Sequence, residues 1–207
     1  MSQSAPPPLP PSPARRRNPA VWIIPLVLGI LALLGAATFL FVKKAMEIGM
    51  GAKSQVEKAV SDSDAQMIRQ AVENFHKDNR QVPLVSGVSP SAGGSLVVTD
   101  EPAGVEVLNI LYGTDSGKQG RGVRYLVMQE VSPGRKGGLA MDASGKSPTG
   151  AYDESGHPFH IVLDTNGDGE LVVKLGDKEE KVSGMKCLVF SAGADGKLGT
   201  PDDVRSW

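Results

Sequence analysis

Cysteine, aromatic side chains and net charge are all scarce in this chain of 207 residues. The one cysteine, Cys187, excludes an intramolecular disulfide, so the chain must fold without one in any compartment. Because Cys187 lies in the apolar run 186–190, we interpret it as a small buried hydrophobe and not as a catalytic thiol. Aromatic residues are 5% of the chain, so aliphatic side chains must form most of the core. The formal net charge of -1 gives no reason to expect nucleic acid as a partner.

An uncharged apolar segment lies near the amino terminus. Residues 20–42 contain no charged side chain, and about 20 helical residues are enough to cross the hydrocarbon of a bilayer. Three arginines at 15–17 precede the segment and two lysines at 43–44 follow it, which favours a cytoplasmic amino end. We therefore predict a retained single-pass transmembrane helix, with the C-terminal domain on the far side of the membrane. A cleaved signal peptide is the alternative, but its apolar region is usually shorter.

The segment before the apolar run, residues 1–19, is rich in proline. Proline at this density favours an extended polyproline helix and prevents a packed fold. We expect a disordered cytoplasmic tail, with a docking site for a cytoplasmic partner as the alternative.

Residues 43–82 are predicted to form a helical stalk and a core helix. Ser63 and Gln66 have the spacing of a capping box, which predicts that a helix starts there. The apolar side chains that follow recur at intervals of three and four, as on one face of a helix: Met67, Ile68, Ala71, Val72 and Phe75. The helix is expected to end near Asn79, before Pro83. The sequence leaves open whether it continues the membrane helix or starts anew.

Residues 83–207 are predicted to form an α+β head, in which the amphipathic helix packs on a small antiparallel sheet. Four segments have the apolar pattern of strands: 124–128, 159–163, 170–174 and 186–190. The second and third of these flank the turn-forming residues 164–169 and are predicted to pair as a hairpin. Strands this close in sequence favour antiparallel pairing, because parallel neighbours need long crossovers. Residues 104–112 fit a helix or a strand, with the helix preferred, and 133–152 are predicted to be an exposed loop.

The C-terminal residues 190–207 carry the most specific pattern in the chain. Gly193, Gly196 and Gly199 permit backbone angles that other residues avoid, so the chain can turn tightly here. Oxygen-bearing side chains are concentrated in the same stretch, and calcium prefers six to eight such oxygens on a flexible loop. The candidate calcium ligands are Asp195, Asp202, Asp203 and Ser191, with Thr200 and main-chain carbonyls as further donors. A solvated acidic turn is the alternative.

The turn at residues 164–169 matches the beginning of an EF-hand loop. The match then fails, because position twelve is Leu175 where calcium requires a glutamate. Asn-Gly and Asp-Gly pairs are also common in hairpin turns, so a plain turn is favoured and metal binding is left open.

Two further groups of polar residues resemble parts of a zinc site and of a catalytic triad, but neither is complete. Asp153, His157 and His160 lie close in sequence, but no further histidine or cysteine cluster completes a zinc site. A triad of Ser155, His160 and Asp164 can be drawn, but nothing in the sequence fixes its geometry. We therefore predict that the protein is not an enzyme, and no small-molecule substrate is evident from the sequence.

The order of these parts resembles the major pseudopilin of type II secretion, and more closely the prepilin-type proteins that carry its C-terminal domain. Three stretches carry the resemblance: the helix at 65–79 (AQMIRQAVENFHKDN), the turn at 153–159 (DESGHPF) and the tail at 190–207 (FSAGADGKLGTPDDVRSW). The resemblance extends over about residues 20–207, and the tail is its most specific part. It implies a pilin-like head.

The resemblance also implies a metal, a location and a function. In that family the terminal loop binds calcium, which stabilises the subunit. On the matching positions the ligands are Asp195, Asp202 and Asp203, with Ser191 assisting. The implied protein is a structural one, anchored in the bacterial inner membrane beside secretion or other envelope proteins. The alternative is a calcium-dependent binding module for an envelope or exported protein.

The amino-terminal segment departs from the family. Family members are cleaved after a glycine just before an apolar start that carries a glutamate, and this glutamate helps subunits assemble. Here Gly29 is followed by residues 30–34 (ILALL), and residues 20–42 contain no acid. The usual peptidase site is absent, which favours a permanent membrane anchor over a processed filament subunit.

Overall fold

A computed structural model describes residues 54–114, 119, 122–132 and 135–207. The predicted tail at 1–19 and the predicted transmembrane helix at 20–42 lie outside these residues, as does the stalk up to residue 53. Within the described part of the chain, no helix combines the length and apolarity needed to span a membrane.

The described elements follow the chain in the order α1 (54–79), β1 (Ser95–Val98), α2 (Pro102–Tyr112), β2 (Glu130–Val131), β3 (Gly138–Met141), β4 (Pro148–Tyr152), β5 (His160–Leu163), β6 (Glu170–Leu175), β7 (Lys178–Ser183), β8 (Cys187–Ser191) and β9 (Val204–Arg205). They form an α+β fold with a small antiparallel sheet, as predicted. This sheet has the strand order β1-β5-β8-β9. A three-stranded sheet, β2-β3-β4, and the two-stranded sheet β6-β7 accompany it.

Helix α1 is the predicted core helix, and the chain is already helical at residue 54, before the candidate start at Ser63. It runs without a break through Ser61 and Asp64, both of which are buried, so the capping-box spacing does not start a helix. The buried face of α1 consists of Ala65, Ile68, Ala71, Val72 and Phe75. Met67 was expected on this face and is instead 39% exposed. Burial of the apolar stripe therefore overrides the local start signal.

Helix α1 ends where the sequence places its end, in a left-handed cap. The backbone N–H of Arg80 donates to the carbonyl of His76 at 2.7 Å, and Arg80 has φ +59°. The side-chain amide of Asn79 donates to the carbonyl of Phe75 at 3.0 Å. These bonds use two of the carbonyls that a helix end leaves unpaired.

The predicted loop at 133–152 is wrong, because residues 138–141 and 148–152 form the antiparallel strands β3 and β4. All four residues of β3 are buried, including Leu139 and Met141. The prediction failed because the glycine and serine content of this segment is typical of loops, while its apolar stretch, residues 139–141, is only three residues long.

The predicted hairpin across 164–169 is also wrong, although both of its strands exist. β5 pairs with β1 and β8, whereas β6 pairs with β7 across the tight turn at Gly176 and Asp177. β7 has the sequence KEEKVS and is mostly exposed, so it lacks the apolar pattern by which strands are predicted.

Three further predictions have mixed outcomes. Residues 104–112 are helical, as preferred, and lie within α2. The predicted strand at 186–190 corresponds to β8. Residues 124–128 form no strand; the backbone N–H groups of Tyr125 and Leu126 both donate to the carbonyl of Leu111 instead. This segment is therefore fixed by the end of α2 and not by a sheet.

Strand β8 lies at the centre of the described domain and is buried on both faces. Cys187 and Val189 pack in the larger core cluster, which also contains Phe75 of α1. Leu188 and Phe190 pack in a second cluster on the opposite face, against residues of β6. Cys187 is fully buried, and burial raises the pKa of its thiol, as expected for a structural cysteine.

Candidate functional site at the C-terminal loop

The C-terminal loop, residues 192–203, turns tightly where the sequence predicts it. Gly193, Gly196 and Gly199 have φ values of +61°, +69° and +94°, which side chains with a β-carbon rarely adopt. A β-carbon at Gly199 would also lie 2.9 Å from the carbonyl oxygen of Leu175. The glycines therefore allow the loop to pack closely against β6.

Two of the predicted calcium ligands, Asp195 and Asp202, are joined by a hydrogen bond. The backbone N–H of Asp195 donates to Oδ2 of Asp202 at 2.9 Å. The hydroxyl of Thr200 donates to Oδ1 of Asp202 at 2.5 Å and is the main cause of the lowered pKa of this carboxyl. The side chain of Asp195 accepts the backbone N–H of Lys197 at 2.8 Å. Both acids therefore help to order the loop.

The third acid, Asp203, is buried. Its Oδ2 accepts the backbone N–H of Gly199 at 2.9 Å and the guanidinium of Arg205 at 3.2 Å. Its Oδ1 is buried and has no hydrogen-bond partner among the described residues. A buried carboxylate oxygen without a donor destabilises the folded state, so a cation or a water molecule bound at this oxygen would stabilise the loop.

The fourth predicted ligand, Ser191, points to a different carboxylate. Its hydroxyl donates to Oδ2 of Asp153 at 2.7 Å. Asp153 is buried, and its Oδ1 accepts the backbone N–H groups of Ser155 and His157 at 2.9 and 2.8 Å. The ring nitrogen Nδ1 of His157 lies 2.7 Å from the carbonyl oxygen of Gly193. The Asp153 turn, residues 153–158, is therefore tied to the end of β8 through Ser191 and to the C-terminal loop through Gly193.

Helix α1 is bound to the same region. The ammonium of Lys58 donates to the carbonyl oxygen of Asp203, and the backbone N–H of Glu154 donates to the hydroxyl of Ser61 at 3.0 Å. Further along α1, burial and the charge of Glu154 raise the pKa of Asp64 to about 6. A carboxyl with this pKa changes its charge close to neutral pH.

A cavity of about 30 Å³ lies where α1, the Asp153 turn and the C-terminal loop meet. Its lining includes the acids Asp153 and Asp202 and the hydroxyl-bearing residues Ser61 and Ser155. This volume is close to that of one water molecule or one ion. Lys58 also lines the cavity and brings a positive charge to it.

The donor set fits calcium only in part. Asp202 and Asp203 offer carboxylate oxygens, one of them unpartnered, whereas Ser191 gives its proton to Asp153. Among the described residues, no three acidic, histidine or cysteine side chains are grouped closely enough to hold a metal. Asp202 and Asp203 would hold a bound calcium, whose charge would cross-link the loop. The calcium site stays a prediction.

The two histidines considered for zinc have different neighbours. His157 lies against the C-terminal loop, whereas the ring of His160 stacks on Phe190, with centroids 5.0 Å apart. Burial lowers the pKa of His160 although nearby Asp100 and Glu101 oppose the shift. No hydrogen bond links any two of Ser155, His160 and Asp164 among the described residues, so the drawn triad is not assembled.

Sequence reasoning missed two parts of this region. Asp153 was considered as a metal ligand and turn residue, but its role as the acceptor for Ser191 was not foreseen. The spacing of Asp153 to Ser155 signals only the turn, because aspartate commonly accepts the backbone N–H two residues ahead, and it does not indicate Ser191. Lys58 gave no signal, since its partner is a main-chain carbonyl 145 residues away.

Comparison with known proteins gives no relative on which to base an assignment. No protein-family model, no curated protein and no solved structure matches the chain significantly.

Proposed function

We propose that the protein is a membrane-anchored, pseudopilin-like structural protein associated with type II secretion or a related envelope assembly. The observation that supports this most is the connection of the C-terminal loop to helix α1. Lys58 binds the Asp203 carbonyl, and the backbone N–H of Arg205 donates to Asp62 at 3.4 Å. Helix, sheet and terminal loop thus form one unit in the order that the resemblance implies.

The amino-terminal sequence favours a retained membrane anchor over a processed filament subunit. Residues 20–42 form the anchor, and the amino end stays in the cytoplasm. Without the family's cleavage site and apolar-segment glutamate, the chain stays anchored in the membrane and is not processed into a filament subunit. Its described residues supply a folded head for contact with envelope proteins.

Topology mapping and electron microscopy test this proposal. Cysteine labelling of single-cysteine variants is expected to place residue 4 inside and residue 177 outside. The matched background is Cys187→Ala. It removes the only native cysteine, which is buried, so that the introduced cysteine is the only thiol that can be labelled. Filaments of the purified chain, or labelling of both positions from the same side, would refute the anchored-subunit model.

A calcium-dependent binding module is the second candidate, and the unpartnered Oδ1 of Asp203 favours it. In this case calcium orders the C-terminal loop, and the ordered loop recognises an envelope or exported protein. Crosslinking in intact cells with and without a permeant chelator separates the two functions. Crosslinks that persist in chelator favour the structural role, and crosslinks that disappear favour the module.

A further inference from the structure

A cavity of about 250 Å³ opens where α1 ends. One wall is the end of α1 with the residues that follow it, and the other is the turn after β5 together with Lys186. The cavity shares no lining residue with the smaller one beside the C-terminal loop. Its volume is below the range of roughly 300–1,000 Å³ that drug-sized ligands occupy, so it suits a smaller molecule.

Arg80, which lines this cavity, has an unusual backbone conformation. Its φ of +59° is the only positive value among the described non-glycine residues. Glycine usually takes this helix-end position because it has no β-carbon. Strained residues of this kind cluster at functional sites. The Arg80 side chain is exposed and forms no ion pair with the described residues, so its charge is available to an anion.

Asp164 lines the cavity from the opposite wall and is incompletely paired. Its side chain is fully buried, and Oδ2 accepts the ammonium of Lys186 at 2.7 Å and the backbone N–H of Gly169 at 3.2 Å. Oδ1 is buried and has no hydrogen-bond partner among the described residues. Because the whole side chain is buried, Asp164 is not open to a ligand, and its role at this end of the cavity is to position the ammonium of Lys186.

The charges around the cavity argue against a divalent metal. Arg80 and Lys186 bring two positive charges, and among the described residues that line the cavity Asp164 is the only acid. The remaining EF-hand-like oxygens are engaged within the turn, since Asp168 accepts the side-chain amide of Asn166 at 2.6 Å and the backbone N–H of Glu170 at 2.8 Å. An excess of positive charge attracts a carboxylate.

We propose that this cavity binds a small ligand through a carboxylate. A free α-amino acid and the last residue of a polypeptide both carry this group. Arg80 binds the carboxylate, and Lys186, which is held in place by Asp164, is the second cation. This site does not depend on the membrane anchor or on calcium.

Titration calorimetry of the purified full-length chain tests the ligand chemistry. The probes are glycine, N-acetylglycine and N-acetylglycine amide at millimolar concentration. Binding of N-acetylglycine but not of its amide supports a polypeptide carboxyl terminus, and tighter binding of glycine supports a free amino acid. Equal binding of the acid and the amide, or no binding of either carboxylate, overturns the proposal.

Substitution of Arg80 tests the site itself. Arg80→Gly is expected to weaken carboxylate binding by at least about tenfold, the usual effect of losing a charge-assisted hydrogen bond. The variant should fold well, because glycine prefers the left-handed conformation. Lys77→Ala removes an exposed charge from α1 outside the cavity and should leave affinity unchanged. Unchanged affinity in Arg80→Gly, or an equal loss in Lys77→Ala, contradicts the site.

Discussion

The Ser191 hydroxyl and the Asp153 carboxylate are joined by a 2.7 Å hydrogen bond, and both residues are buried. The bond connects the end of β8 to a turn 38 residues earlier in the chain. Ser191 directly precedes the C-terminal loop, so loss of this bond is expected to destabilise the loop and the Asp153 turn.

Ser191→Ala is expected to lower the free energy of unfolding by about 1–3 kcal/mol, because it leaves a buried carboxylate oxygen without its donor. Urea denaturation measures the change. Ser183→Ala, on the exposed strand β7, is the matched control and should change stability by less than about 0.5 kcal/mol. Equal effects of the two substitutions would show that the Ser191 bond contributes nothing specific.

Arg80→Gly is expected to raise the free energy of unfolding by about 1 kcal/mol, because the β-carbon penalty at φ +59° disappears. Lys77→Gly, inside α1, should have the opposite sign and cost about 1 kcal/mol. Chemical denaturation of both variants gives the comparison. A loss of stability in Arg80→Gly would mean that the arginine side chain itself stabilises the helix end.

Asp64 should make the protein less stable as the pH rises from about 4 to 6. Its folded-state pKa is about 6 and its ordinary value is 3.8, so the folded state binds more protons in this interval. Asp64→Asn should therefore stabilise the protein at pH 7, by on the order of 1–3 kcal/mol, and give no gain below pH 4. Asp177→Asn, in the exposed β6–β7 turn, should be neutral at both values. A gain in Asp64→Asn that does not depend on pH would disprove the titration argument.

Calcium should raise the melting temperature of the full-length chain if the C-terminal loop binds it. Binding to the folded state alone adds about 2.7 kcal/mol at a concentration near 100 times Kd. Asp202→Asn combined with Asp203→Asn should abolish the calcium-dependent rise, whereas Asp177→Asn should retain it. A melting temperature that responds to neither calcium nor chelator would leave the loop as an acidic turn ordered by its own hydrogen bonds.

The sequence predicts those parts of the fold that depend on local periodicity. The stripe that contains Ile68 and Phe75 identifies α1, and the glycines at 193, 196 and 199 identify the tight loop. Local periodicity does not predict β7, where charged residues form an exposed strand, or β3, where only three apolar residues follow two glycines. In both strands pairing with a neighbour overrides the local composition.

Distant contacts explain what sequence reasoning missed at the candidate site. All three acids were placed correctly in one loop, but Ser191 could not be assigned to Asp153 without the register of β8 against β5. The same holds for the cavity at the end of α1, because Arg80 and Asp164 meet there from separate elements. Residue types are visible in the sequence, whereas their partners are set by strand pairing.

Alkaline extraction of membranes followed by intact-mass measurement tests the central proposal most directly. The full-length chain is expected to remain in the membrane pellet, with residues 1–42 still present in the measured mass. A water-soluble product that has lost its amino-terminal segment would contradict it.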